Sequence, residues 1–243
     1  MTNSGFQLYC GDPPVPGALH WNLDPLLVGA LAIAFGVYAL CYRKTEVGEP
    51  RFLMGCTGFA VLSASLITPL CNLSVALFTA RAVQHGLMLL VAAPLLVLGR
   101  PRGRAGRFEG FAGPLAFAAA LWFWHLPAIY DATLQNNAVY WTMHLTLFGA
   151  ALSLWRVLLG QGAAVFSSLF TGVQMCALGA LLTLSPRPWF SVYGATTWQW
   201  GLSPSADQQL GGVIMWVVGG ILLSGFTVAV LARMFASAGP VRA

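Results

Sequence analysis

Charge is what this chain has least of. Of its 243 residues, 8% are charged and 58% are hydrophobic, whereas a soluble domain carries about 25% charged residues. So few charges cannot cover a water-facing surface, so most of the exterior must face lipid. Lysine occurs once, as Lys44, outside any apolar run. That excludes a retinal protein, whose Schiff base needs a lysine inside the bundle. No HExxH motif is present, which excludes a zincin protease, and the histidine boxes of a membrane di-iron enzyme are missing too. The five cysteines form no CxxC or CxxCH motif. The net charge of +5 comes without a basic stripe interleaved with aromatics, so no nucleic-acid partner is expected. Residues 1–24 hold neither Lys nor Arg and no apolar core. They are expected to be a translocated polar tail rather than a signal peptide.

What the chain does have is apolar length. Seven stretches stand out: Pro25–Tyr42, Phe52–Leu70, Leu77–Leu98, Phe108–Trp124, Val139–Leu159, Ala163–Leu184 and Gln208–Phe235. A helix of about 20 apolar residues spans a bilayer. The prediction is an all-α integral membrane protein, a bundle of about seven transmembrane helices over residues 25–235, with tails at 1–24 and 236–243. Arg43, Lys44 and Arg51 sit in the first loop, and Arg100, Arg102, Arg104 and Arg107 in the third. The fifth stretch has Arg156 near its end, and Arg233 and Arg242 mark the C-terminal end. The connections between, Asn72–Ala76, Ala128–Ala138 and Ser185–Ala206, hold only Arg187. The positive-inside rule then puts the N-terminus outside and the C-terminus in the cytoplasm. Trp21, Trp122, Trp124, Tyr130, Tyr140, Trp141, Trp189, Tyr193, Trp198 and Trp200 fall near the outer boundary, as an aromatic belt would. Ser185–Ala206 reads as a loop long enough to lid the outer face. Ser205 and Gln208 fit a capping box at the start of the last helix, with Asp207 in its first turn.

The four histidines, His20, His85, His125 and His144, all map to the outer half. Ionisable side chains in a membrane face the bundle interior and mark sites. His85, His125 and His144 lie at related depth on different helices, which predicts a shared metal site, with His20 assisting. Met88 is one turn from His85, and Met215 shares a helical face with Gln208. Imidazole with thioether ligands suits copper, especially Cu(I), although a methionine at helical spacing also serves as packing. Arg81 needs a partner, and Asp207 and Asp131 are the outer-side acids. An Arg81–Asp207 pair would tie the third helix to the seventh; the alternative is an arginine that snorkels to the interface. Cys10 and Cys71 both lie outside, where either a disulfide or a transient copper ligand is open to them. Cys41, Cys56 and Cys176 read as packing residues.

Several of these segments resemble one family. They are Ala80-Arg81-Ala82-Val83-Gln84-His85-Gly86-Leu87-Met88 running into Ala93-Pro94-Leu95-Leu96-Val97-Leu98-Gly99, Trp124-His125-Leu126-Pro127-Ala128-Ile129-Tyr130-Asp131, Tyr140 to His144, and Asp207-Gln208-Gln209-Leu210-Gly211-Gly212 leading to Met215-Trp216. With His20-Trp21-Asn22-Leu23-Asp24-Pro25, they resemble the membrane cytochrome c oxidase assembly proteins of the caa-type CtaG family. The resemblance implies a multi-pass factor of the bacterial inner membrane, embedded in lipid, that matures a haem-copper oxidase by handling copper. It implies an oxidase subunit as partner, a periplasmic copper donor upstream, and no catalysed reaction. Two other readings remain. One is a haem-binding electron carrier with His85 and His144 as axial ligands. The other is a small-solute or ion transporter whose polar path includes Gln174.

Overall fold

Proline decides where most of the helices begin. Its fixed φ and missing N–H suit the first helical position, where the N–H has no partner in any case. Pro25 opens α1 (Pro25–Leu40), Pro50 opens α2 (Pro50–Ile67) and Pro69 opens α3 (Pro69–Ala76). Next come α4 (Phe78–Leu98), α5 (Ala112–Trp124) and α6 (Pro127–Thr133). Then follow α7 (Asn137–Leu158), α8 (Ala164–Leu184) and α9 (Pro204–Ala236). This computed structural model describes residues 8–42, 49–100, 111–160 and 163–237, among which there is no strand. Arg43, Lys44, Arg102, Arg104, Arg107, Arg242 and the tail beyond 237 lie outside the described residues.

The described residues of the seven apolar stretches are largely helical, the second being divided at Thr68 between α2 and α3. By length and composition, α2, α4, α8 and α9 could cross a membrane, or five segments if α5 and α6, bent by 84°, count as one broken span. At 16 residues α1 falls short of the usual spanning length of about 20. α7 is 22 residues long, but Asn137, His144 and Arg156 dilute its apolar character. Two connections read as loops are partly helical. Asn72–Ala76 belongs to α3, and most of Ala128–Ala138 is divided between α6 and the start of α7. The cause is a proline at the first position of each short helix. The last helix continues through Ala236, past the expected boundary at 235.

Side-chain caps reinforce these starts. Asp24 accepts from the N–H groups of Leu26 and Leu27, and Asn136 from those of Ala138 and Val139. Ser203, not Ser205, caps α9 by accepting from Ala206 N–H at 3.1 Å. Pro204 takes the first helical position, so the cap falls before it and Gln208 is released from the expected capping box.

The prolines also leave carbonyls without helical donors, and side chains from other helices supply them. Pro69 has no N–H for Ser65 O, which accepts from Gln84 Nε2 of α4 at 2.8 Å. Within α4 a π segment, Leu87–Ala92, lets Ala93 N–H donate to Met88 O. Pro94 then cannot serve Leu89 O, which accepts from Trp155 Nε1 of α7 at 2.8 Å. Pro186 leaves Leu182 O free, and Gln208 Nε2 of α9 donates to it at 3.1 Å. In apolar surroundings an unpaired carbonyl is costly, so each bond fixes one helix against another. α5 packs on α7, and α8 packs along α9. Gly179 and Gly212 permit the second approach, since a Cβ on Gly179 would stand 2.9 Å from Gly212 O. The periphery is greasy: Leu26 and Ile33 of α1 and Ile221, Val228 and Phe235 of α9 are all exposed.

A polar cluster around His85, His144 and Arg81

The first turn of α4 organises the cluster. Leu77 precedes it in extended conformation and supplies no side-chain cap. The cap comes from α9 instead. Asp207 Oδ2 accepts from Phe78 N–H at 2.6 Å and Oδ1 from Thr79 N–H at 3.1 Å, while Thr79 Oγ1 donates to Asp207 O at 2.9 Å. A carboxylate at a helix N-terminus satisfies orphan N–H groups and meets the positive end of the helix dipole. Asp207 thus does tie the third apolar stretch to the seventh, but through backbone. The expected Arg81–Asp207 pair does not form; the carboxylate is turned to the backbone of the first turn of α4 instead.

Arg81 does not snorkel either; its exposure is 1%. Nη2 donates to Thr133 Oγ1 at 3.0 Å and to Met143 Sδ at 3.6 Å. The guanidinium carbon lies 5.2 Å from the Tyr130 ring centre and 5.6 Å from that of Tyr140. Nε and Nη1 have no hydrogen-bond partner.

One turn along α4, His85 meets His144 of α7, with ring centroids 5.2 Å apart and planes at 75°. His144 Nδ1–H donates to Tyr140 O at 3.0 Å. In a neutral ring this tautomer leaves Nε2 as a bare lone pair, and that atom is buried without a partner. His85 Nε2 is likewise buried and unpartnered. His125 caps the end of α5 and donates through Nδ1 to Leu121 O at 2.7 Å. It shares a cavity of about 60 Å³ with His85, Arg81, Tyr130, Met175 and Met215.

The predicted ligands therefore separate. His85 and His144 come together, and His125 and Met215 line the cavity beside His85. Met88 is buried in the core and is not part of that cavity's wall. The i→i+5 bonding of the π segment widens the turn, so Leu89 and Leu90 take the wall positions instead. His20 is exposed and lines a separate recess with Tyr9, Asp12 and Asn22, so it does not join the other histidines. Among the described residues, no group of three His, Cys, Asp or Glu side chains is arranged to hold a metal. The cavity is also far below the about 300–1,000 Å³ of a pocket that encloses a drug-sized ligand. A porphyrin does not fit it, nor does it fit between rings 5.2 Å apart. Gln174 accepts from Trp122 Nε1 at 2.8 Å and is thus engaged with a neighbouring helix.

The segment 185–203 covers this end of the bundle. Phe190 stacks on Tyr130 at 3.9 Å, and Tyr193 OH donates to Ser74 O at 3.0 Å. Asp131 Oδ2 accepts from Ser191 N–H and its hydroxyl, so this acid anchors the cover rather than pairing with Arg81. Gln208 Oε1 accepts from Trp189 N–H at 2.5 Å. The N-terminal tail is tied in as well. Cys10 and Cys71 form a disulfide, Tyr140 OH donates to Cys10 Sγ at 3.2 Å, and Asn72 Nδ2 donates to Cys10 O and Asp12 O. Tyr9 stacks on Tyr140, and burial, then the charge of Asp24, pushes its phenol up to about 12. Burial also raises Tyr193. Both hydroxyls therefore stay protonated at neutral pH and remain donors.

Sequence reasoning missed Thr133, Tyr140, Met143 and Met175 as neighbours of the cluster. Tyr140 was within reach of inference, lying four residues before His144 on one face. Met143 points elsewhere on α7, and only the course of Arg81 brings it in.

A family model described as cytochrome c oxidase caa3 assembly factor matches residues 34–237, well over half of the chain. No curated protein and no solved structure matches it.

Proposed function

The chain belongs to the cytochrome c oxidase caa3 assembly factor family, and on that premise we propose that it holds copper as Cu(I) and passes it to a haem-copper oxidase subunit. The observation that carries the reading is the pair of buried, unpartnered Nε2 atoms of His85 and His144. Soft Cu(I) accepts imidazole nitrogen and thioether sulfur. His125, Met215 and Met175, around the cavity that His85 lines, supply exchangeable neighbours rather than a closed cage. A carrier that must release its cargo needs few and replaceable bonds. No reaction is catalysed; the protein's work is to hold and transfer.

The proposal includes a location. The seven helical stretches span the bacterial inner membrane with the N-terminus in the periplasm and the C-terminus in the cytoplasm. The loop charges support this arrangement. So does the Cys10–Cys71 disulfide, which belongs in an oxidising compartment. The histidine pair then sits at the periplasmic side, where a periplasmic donor delivers copper. In cells lacking this factor, wild type should restore oxidase activity and the copper content of the oxidase. The His85→Ala/His144→Ala variant, present at equal level in the membrane, should restore neither. Full activity from that variant would overturn the assignment of copper handling to this pair.

A further inference from the structure

A fully buried cation normally has a carboxylate beside it. Arg81 has none among the described residues. Asp207 bonds the backbone of Phe78 and Thr79, and Asp131 bonds Ser191 through Oδ2 and leaves Oδ1 without a hydrogen-bond partner; neither forms an ion pair with Arg81. The neighbours of the guanidinium are Thr133, Met143, two tyrosine rings and the Tyr193 hydroxyl. None of these carries the opposite charge. Its Nε and Nη1 donors are unpartnered, and its side chain lines the cavity of about 60 Å³.

We propose that this cavity is a binding site for a small inorganic monovalent anion, of the size of chloride, held by the free donors of Arg81. The guanidinium supplies charge and directed N–H groups. The rest of the wall, Phe78, Leu89, Leu121 and their neighbours, is largely apolar. An ion with a small dehydration cost suits that wall better than a multivalent one such as sulfate. The size limit excludes carboxylates of metabolite length. His85 and His125 share the wall, and the anion offsets the positive charge that Arg81 presents to anything bound at the histidines. The site does not require copper and stands if the copper reading fails.

The test uses the full chain purified in detergent without copper. Thermal unfolding is followed in sodium chloride and in sodium gluconate at equal ionic strength. Chloride should raise the wild-type midpoint by about 4 °C at saturation and leave Arg81→Gln unmoved. An equal chloride effect in both proteins, or none in wild type, would overturn the proposal. If Arg81→Gln does not fold, chloride-35 line broadening on wild type decides the matter. Broadening that bromide reverses and sulfate does not is the expected result; its absence is contrary. Copper content of the same samples is measured separately, so failure of one reading leaves the other standing.

Discussion

The two halves of α9 show two uses of one helix. Its first turns bury Asp207 and Gln208, which bond α4, α8 and the 185–203 segment. Beyond the π segment Ile214–Val218, the same helix exposes Ile221, Val228, Met234 and Phe235. Near the disulfide, position is fixed by directed polar bonds whose loss leaves a buried group unpaired. Toward the C-terminus one buried bond, between the Thr227 and Ser168 hydroxyls at 2.7 Å, joins α9 to α8, and the rest of the surface is apolar, with lipid as the other neighbour. Directed polar bonds are therefore denser along the first half of α9 than along the second, and substitutions should cost unequal amounts along a single helix.

The sharpest break between the halves should come from Asp207→Ala. Two buried N–H groups and the dipole of α4 lose their acceptor, which should lower unfolding free energy in detergent by about 3 kcal/mol. Ile221→Ala on the exposed half should change it by about 0.5 kcal/mol or less. Similar losses at both sites would erase the distinction. Next in size is the disulfide, which spans 61 residues. Reduction, or Cys71→Ser, should cost about 2 kcal/mol, visible as a lower midpoint under reducing conditions. A smaller effect is expected for Gln84→Leu, which keeps bulk but abandons Ser65 O. About 1 kcal/mol is expected, and no loss would mean that the freed carbonyl finds another donor.

Much of this architecture was legible in the sequence. Most helix starts follow from proline, and the described parts of the seven apolar stretches are largely helical because each is rich enough in apolar residues to bury or to face lipid. The short helices α3 and α6 were not legible, since polar residues such as Asn72 and Asp131 disguise them as loops. In the site, the convergence of His85 and His144 followed from depth and helical rise. The partner of Asp207 did not, because the N–H groups it caps carry no side-chain signature. Met88 stands outside the cavity wall, which Leu89 and Leu90 line from within the π segment, and helical spacing alone does not announce that segment. The lack of an ion pair between Arg81 and any described carboxylate could be learned only from the packed structure.

The account turns on the two histidines, and Cu(I) competition tests it directly. Detergent-purified wild type, His125→Ala and His85→Ala/His144→Ala are each titrated with Cu(I) against a coloured chelator under anaerobic conditions. Wild type should withdraw copper from the chelator, His125→Ala should do so more weakly, and the double variant should not. A double variant that binds copper as tightly as wild type would contradict the proposed site.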